Sequence, residues 1–559
     1  MSRPRLYPLG AAVILSVPLV LSALSVRRLS ITYDEPCHFR YGYQLLVGRT
    51  ARRFADSTMP VSALNALPRA AGALCAPFPG ARAAARRLHD PKSGRWATIL
   101  AALLLGALVC RWARELYGPA AGLFSLSLYA FDPNIIAHGM LVTTDLYAAL
   151  LMTAALYCFW RFEARPGPAR GAACAFALGL AQLAKHAAFL LYPVFLVIAC
   201  ARHAGGLRRR IAARDLRGLV GRAAAAAGWA ILFAGASAAV ISAGFLFEGV
   251  GAPLESYAFK SRFFAAARAR AGPLARLPLP LPAPYLEGLD WSRHYDETGG
   301  VSGNLYLFKE LRPRGTGFPG YYLAAFVFKT PLALQACLAA ALVALPGRRR
   351  RARFMDDELF LLAPLAAAAV WFAFFFRTQV GVRYILFVYP LIQILCGGLV
   401  AGWERFGPAR RAALLAAPVL LLSSTLSWHP HFIPYFNELV PDRTRCHEIL
   451  ADSNIDWGQA EWYLRRWRRT HPEAVVNPER PVAGRVVVGV NLLTGVFLPE
   501  RYRWLRENFS PTGHVAHAYL IYDVAPEELE RLGLGEGELS APPAPRGPRR
   551  SSPGTGPPR

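Results

Sequence analysis

Eleven apolar blocks, each about 17–25 residues long, run through this chain and decide what it can fold into. A helix of that length covers the ~30 Å hydrocarbon core of a bilayer, and only a helix satisfies its own backbone polar groups there. The blocks lie near 10–26, 96–113, 119–137, 142–160, 168–184, 186–201, 223–247, 320–346, 358–376, 382–402 and 411–428. With 54% hydrophobic residues and a mean hydropathy of +0.27, the 559-residue chain is too apolar for a string of soluble domains. The pattern predicts a mainly α polytopic membrane protein. The first block follows Arg3 and Arg5, lacks a small-residue cleavage site and is read as an uncleaved span.

The formal net charge of +27 invites a nucleic-acid reading, but the distribution argues against it. The basic residues cluster between apolar blocks, as in Arg208-Arg209-Arg210 and Arg348 through Arg351, with no aromatic-basic platform. Such clusters are the mark of cytoplasmic loops. They orient the chain with its N-terminus inside and everything after the eleventh block outside. Only five lysines occur (Lys92, Lys185, Lys260, Lys309, Lys329), so each survives a strong bias toward arginine. The nine cysteines show no metal-ligand spacing, although Cys37 and Cys75 share a loop and allow a disulfide.

Two long loops, 27–95 and 248–319, are expected on the outer side. Past 428 the pattern changes to strand-like runs at 486–490 and 519–522, with helical stretches at 456–468 and 498–507. The expected organisation is a transmembrane domain over 1–428, a small extracytoplasmic α/β domain over 429–534, and a Pro/Arg-rich disordered tail over 535–559.

The chemistry-bearing residues gather on the outer side. Asp34 and Glu35 precede Pro36 and a helix-like stretch from Cys37 to Val47; the pair reads either as helix-start chemistry or as a general base at the membrane interface. Asp145 stands at the start of a span, just after His138, and is either a cap or a site residue. Lys185 and His186 occupy a short turn between apolar blocks. Lys329, Arg377 and Arg383 lie on the same predicted side, each of them either snorkelling to the headgroups or holding a phosphate. Carboxylates and cations at one interface suit a reaction on a phosphate-bearing lipid. A proton-coupled transporter would place such groups near the bilayer midplane.

An ordered series of motifs sharpens this. It comprises Tyr33-Asp34-Glu35-Pro36-Cys37-His38, then Asp132-Pro133 through His138-Gly139 and Thr144-Asp145, then Lys329-Thr330-Pro331-Leu332 and Arg383-Tyr384 through Tyr389-Pro390. His429-Pro430-His431 through Glu438 and Asp452-Ser453-Asn454-Ile455-Asp456-Trp457-Gly458-Gln459 complete it. The series resembles the membrane glycosyltransferases of the GT-C superfamily, in the bacterial branch related to protein O-mannosyltransferases and the lipid A aminoarabinose transferase.

The resemblance implies a polyprenyl-phosphate-linked sugar donor and a protein, lipid or glycan acceptor. Transfer would take place with inversion at the outer face of a bacterial cytoplasmic membrane. It implies Asp34 as general base and Glu35 as an orienting or substrate-binding group. Lys185, Lys329 and Arg383 would hold the phosphate, with Asp145, His138, His186 and Arg377 lining the site. Some relatives use a divalent metal and others do not; no metal ligands are assigned. Where the family has a proline pair in the first loop, this chain reads Met59-Pro60. The alternative is a non-catalytic transporter or flippase component for lipid-linked sugars.

Overall fold

A computed structural model describes residues 6–49, 58–299, 303–349 and 354–534. The chain is mostly helical, and each of the eleven apolar blocks contains helix. Among the described residues, five helices are each long and apolar enough to cross a membrane: Leu6–Val26, Pro91–Tyr117, His186–Ala212, Leu216–Gly244 and Pro408–Leu426. Two of the other blocks are broken, each at a proline. The 320–346 block is a bent pair, Tyr321–Lys329 and Leu332–Leu345, turning by 113°. Pro331 cannot donate into a helix and forces Thr330 into extended backbone (φ −95°, ψ 128°). The 119–137 block breaks in the same way at Asp132-Pro133, where the Asp132 carboxylate caps Asn134 N at 2.9 Å.

The bundle core forms around Pro91–Tyr117, with Leu105, Val109 and Trp112 fully buried, and around Val388–Gly397, none of whose ten residues is exposed. By contrast, Leu216–Gly244 buries only Ser237, Ile241 and Ser242 and shows Val220 and Ile231 on its outside. An apolar exterior of this kind is what a lipid solvent requires.

The first loop, the second loop and the C-terminal region meet at one end of the bundle. Tyr33 N donates to the Trp457 carbonyl at 3.1 Å, Asn304 N to that of Val496 at 2.8 Å, and Phe308 N to that of Ile449 at 2.9 Å. The first loop carries helices Glu35–Leu46, Ser62–Cys75 and Arg82–Leu88. The first two approach so closely that a Cβ on Gly42 would lie 2.1 Å from the Ser62 carbonyl oxygen. The second loop carries helices Arg262–Arg270 and Ala283–Thr298 and a hairpin pairing Leu305–Leu307 with Glu310–Arg312.

In the C-terminal region a four-stranded sheet runs in the order Val475–Val476, Gly484–Gly489, Tyr519–Val524, Gly513–Val515. The first pair is parallel and the other two are antiparallel. Its helices, Glu461–Arg468 and Arg503–Asn508, are shorter than the 456–468 and 498–507 expected from pattern. Cys37 and Cys75 stand as thiols, so the allowed disulfide is not formed. Residues 50–57 of the first loop and the tail 535–559 lie outside the described residues.

Candidate functional site

Asp34 occupies the N-cap position of Glu35–Leu46, yet its side chain makes no capping hydrogen bond. Its carboxylate instead accepts from Arg383 Nη1 at 2.8 Å. Arg383 belongs to the short turn Val382–Ile385, entered through Gly381. A Cβ at 381 would stand 2.4 Å from Ser453 Oγ, so any other residue there would push that hydroxyl off its bond to the Val380 carbonyl. Behind Asp34, Arg383 Nη1 lies 3.9 Å from Asp145 Oδ2, and Asp145 is hydrogen-bonded to Lys185 Nζ. The capping alternative for both aspartates is thereby displaced by ion pairing.

Aromatic faces complete the arrangement. Arg383 Cζ lies 4.0 Å from the Trp457 ring centroid, and Lys185 Nζ lies 4.4 Å from that of Tyr384. Two cations and two carboxylates therefore form one chain, Asp34–Arg383–Asp145–Lys185, drawn from four separate stretches of sequence. The chain is open at both ends and closed in its middle. Side-chain exposure is 32% for Asp34 and 18% for Lys185, against 13% for Arg383 and 4% for Asp145 between them. Arg383 Nε is buried and receives no partner among the described residues, and the same holds for His138 Nδ1. His138 packs 6.1 Å from the Trp457 ring and stands in the field of Asp145 and Arg383. An unpaired buried donor on a cation is costly unless an anion meets it.

Three expected site residues are engaged elsewhere. Glu35 is fully buried and fully used: Arg95 Nε meets Oε1 at 2.7 Å and Nη2 meets Oε2 at 2.6 Å, while Thr32 N and Val142 N donate at 2.8 and 3.1 Å. It holds the first loop to the bundle. Lys329, 1% exposed, donates to the carbonyls of Ile433 at 2.8 Å and Asn454 at 2.7 Å, so its ammonium ties the bent span to the C-terminal region. Arg377 donates through its amide to Asp296 at 2.6 Å and through Nη1 to Gly315 O at 3.2 Å, anchoring the second loop. His186 packs its ring 5.6 Å from that of Tyr285.

Sequence reasoning passed over Arg95 and Trp457. The first had a signal, an arginine at the mouth of an apolar block; the second lay inside a motif already singled out. Among the described residues no group of three or more His, Cys, Asp or Glu is arranged to hold a metal.

Residues 89–221 match the family described as dolichyl-phosphate-mannose-protein mannosyltransferase. That stretch contains Arg95, His138, Asp145 and Lys185. The GT-C resemblance is borne out. No curated protein sequence matches the chain. Among solved structures, ArnT from Cupriavidus metallidurans bound to undecaprenyl phosphate is similar at 14% identity and a TM-score of 0.47, over 91% of this chain and 97% of that one. The oligosaccharyltransferase of Archaeoglobus fulgidus in its apo form is similar at 14% identity and a TM-score of 0.43, over 76% of this chain and 56% of that one. The chain is a multi-pass membrane protein, and over residues 89–221 it is similar to a family of glycosyltransferases.

Proposed function

We propose that the chain moves a sugar from a polyprenyl-phosphate donor to an acceptor hydroxyl at the outer face of a bacterial cytoplasmic membrane, with inversion. The observation that carries this is the Asp34–Arg383–Asp145–Lys185 chain, whose most exposed member is the Asp34 carboxylate and which sets two cations, Arg383 and Lys185, on either side of the buried Asp145. Arg383 and Lys185 hold the donor phosphate, the first with a spare buried donor at Nε. Asp145 balances both cations, keeping the pair from standing as uncompensated buried charge when the site is empty. Asp34 accepts the proton of the acceptor hydroxyl as that oxygen bonds to the anomeric carbon and the carbon–phosphate oxygen bond breaks. The lipid phosphate leaves as a stabilised anion, so a single carboxylate supplies the base and no second acid is required. Glu35 and Lys329 act in this scheme through the fold alone.

The reading is tested with purified protein in liposomes supplied with undecaprenyl-phosphate sugars. Sugar transfer to an acceptor is the expected result; lipid movement between leaflets without transfer would favour the transporter reading instead. Within the same assay, Lys185→Ala is expected to weaken donor binding roughly ten- to hundredfold, the value of a charge-assisted hydrogen bond, and to leave acceptor affinity unchanged. Equal losses on both substrates would remove Lys185 from the phosphate.

A further inference from the structure

The segment 452–459 threads between the bundle and the C-terminal sheet, and nearly all its polar groups are spent on holding position. Ser453 Oγ donates to the Val380 carbonyl at 2.5 Å. Asn454 accepts from Val382 N at 3.0 Å and donates through Nδ2 to the Tyr321 hydroxyl at 2.9 Å. Gln459 accepts from Trp457 N through its side chain at 2.6 Å and from Ser30 N through its carbonyl at 3.0 Å. The ring of Trp457 lies against Arg383.

Asp452 differs from these. One oxygen accepts from the adjacent Ser453 N at 2.6 Å, and the other receives no hydrogen bond among the described residues. The side chain is partly accessible, and Arg383 and Asp34 are both close enough to act on it electrostatically. Burial, with Asp34 and Asp456 adding to it and Arg383 opposing, pushes the carboxyl up to about 6.

The backbone at this residue is held in a conformation it would not choose. Asp452 has φ +58°, a left-handed position that few non-glycine residues take. Asn491 clamps it there, accepting from Asp452 N at 2.7 Å and donating to the Asp456 carbonyl at 2.9 Å. A strained residue over-determined by its surroundings, presenting an unused acceptor beside a catalytic cluster, points to a ligand.

We propose that Asp452 is a substrate-binding carboxylate of this same site, supplied by the C-terminal region, and that its free oxygen accepts a hydrogen bond from a hydroxyl of the donor sugar. This rests on the glycosyltransferase reading. If Arg383 takes the phosphate and Asp34 the acceptor, the anomeric carbon lies between them and the sugar ring fills the space that Asp452 borders. A carboxylate there repels a bare phosphate but pairs with sugar hydroxyls, which are donors. The site would then be incomplete without the C-terminal region.

The test compares binding of bare undecaprenyl phosphate with undecaprenyl phosphate carrying mannose, glucose or aminoarabinose, using the full-length protein. Asp452→Gly removes the carboxylate and accepts the left-handed backbone without strain, and Asp452→Asn keeps the shape but not the charge. For whichever sugar-linked lipid the unmodified protein binds best, Asp452→Gly is expected to weaken binding roughly 10–100-fold and Asp452→Asn by less. Bare undecaprenyl phosphate should bind both variants as well as the unmodified protein, or better. Unchanged sugar-lipid binding, or equal loss of the bare lipid, overturns the assignment of Asp452. If the unmodified protein prefers none of the three sugar-linked lipids to the bare one, the donor reading falls, and this assignment with it.

Discussion

Asp34→Asn is expected to lower sugar transfer by roughly 10²–10⁴-fold, the range for losing a positioned general base, while leaving the protein folded. The amide is isosteric with the carboxylate but cannot take up the acceptor's proton. Structure gives little reason for collapse. Asp34 makes one side-chain contact of note, with Arg383 Nη1, and its side chain keeps 32% exposure. Arg383 retains Asp145 as a counter-charge at 3.9 Å. Removing a negative charge beside the donor phosphate should leave donor affinity unchanged or raise it. The measurement is therefore a pair, with transfer rate and donor binding on the same preparation. Undiminished transfer would sink Asp34 as the base. A parallel fall in donor binding would shift its role to holding Arg383.

Asp145→Asn should behave in the opposite sense. Asp145 is 4% exposed and stands against Lys185 and Arg383, so its loss leaves two cations with a single carboxylate. Thermal stability and donor binding are expected to change together, and the pH profile of any residual transfer to stay as it was. A change in that profile would make Asp145 part of the proton transfer.

The architecture was legible wherever physics acts on a long stretch. A block of apolar residues reports a span because every residue in it meets the same lipid-like solvent. The strand runs at 486–490 and 519–522 emerge as the two central strands of the sheet for a related reason: Val486, Val487 and Val488 are all buried, and continuous burial selects continuous apolar sequence. Individual site residues were legible by chemical type but not by direction. Asp34 and Glu35 are neighbours, and successive positions at a helix start point about 100° apart. One carboxylate therefore meets Arg383 and the other turns inward to Arg95. Lys185 and Lys329 pose the same difficulty, since both sit in apolar surroundings. What separates them is the bend at Pro331, which carries Lys329 onto the carbonyls of Ile433 and Asn454, and that bend depends on tertiary packing. Asp452 lay within a recognised motif. Its left-handed backbone and unused oxygen are set by Asn491, 39 residues downstream, and no local pattern encodes that clamp.

Glu35→Ala is expected to destabilise the fold by ~3–5 kcal/mol, because it leaves Arg95 as an uncompensated buried charge. Both side chains are wholly excluded from solvent. Arg95 spends its remaining donors on the carbonyls of Val26, Leu29 and Ser30, and Glu35 accepts from Thr32 N and Val142 N. The pair thus joins the end of the first span, the first loop, the second span and the approach to Asp145. Loss of either member should lower the thermal midpoint in detergent sharply, and transfer should fall only in proportion to folded protein. Arg95→Met is expected to cost a similar amount, since it strands the carboxylate. The double variant Glu35→Met, Arg95→Met should recover part of the loss, because two apolar side chains leave no buried charge behind. Recovery stays partial because three carbonyls and two amides lose their partners as well. If the two single losses simply add, the residues do not act as a unit. If Glu35→Ala abolishes transfer at an unchanged thermal midpoint, Glu35 belongs at the substrate after all.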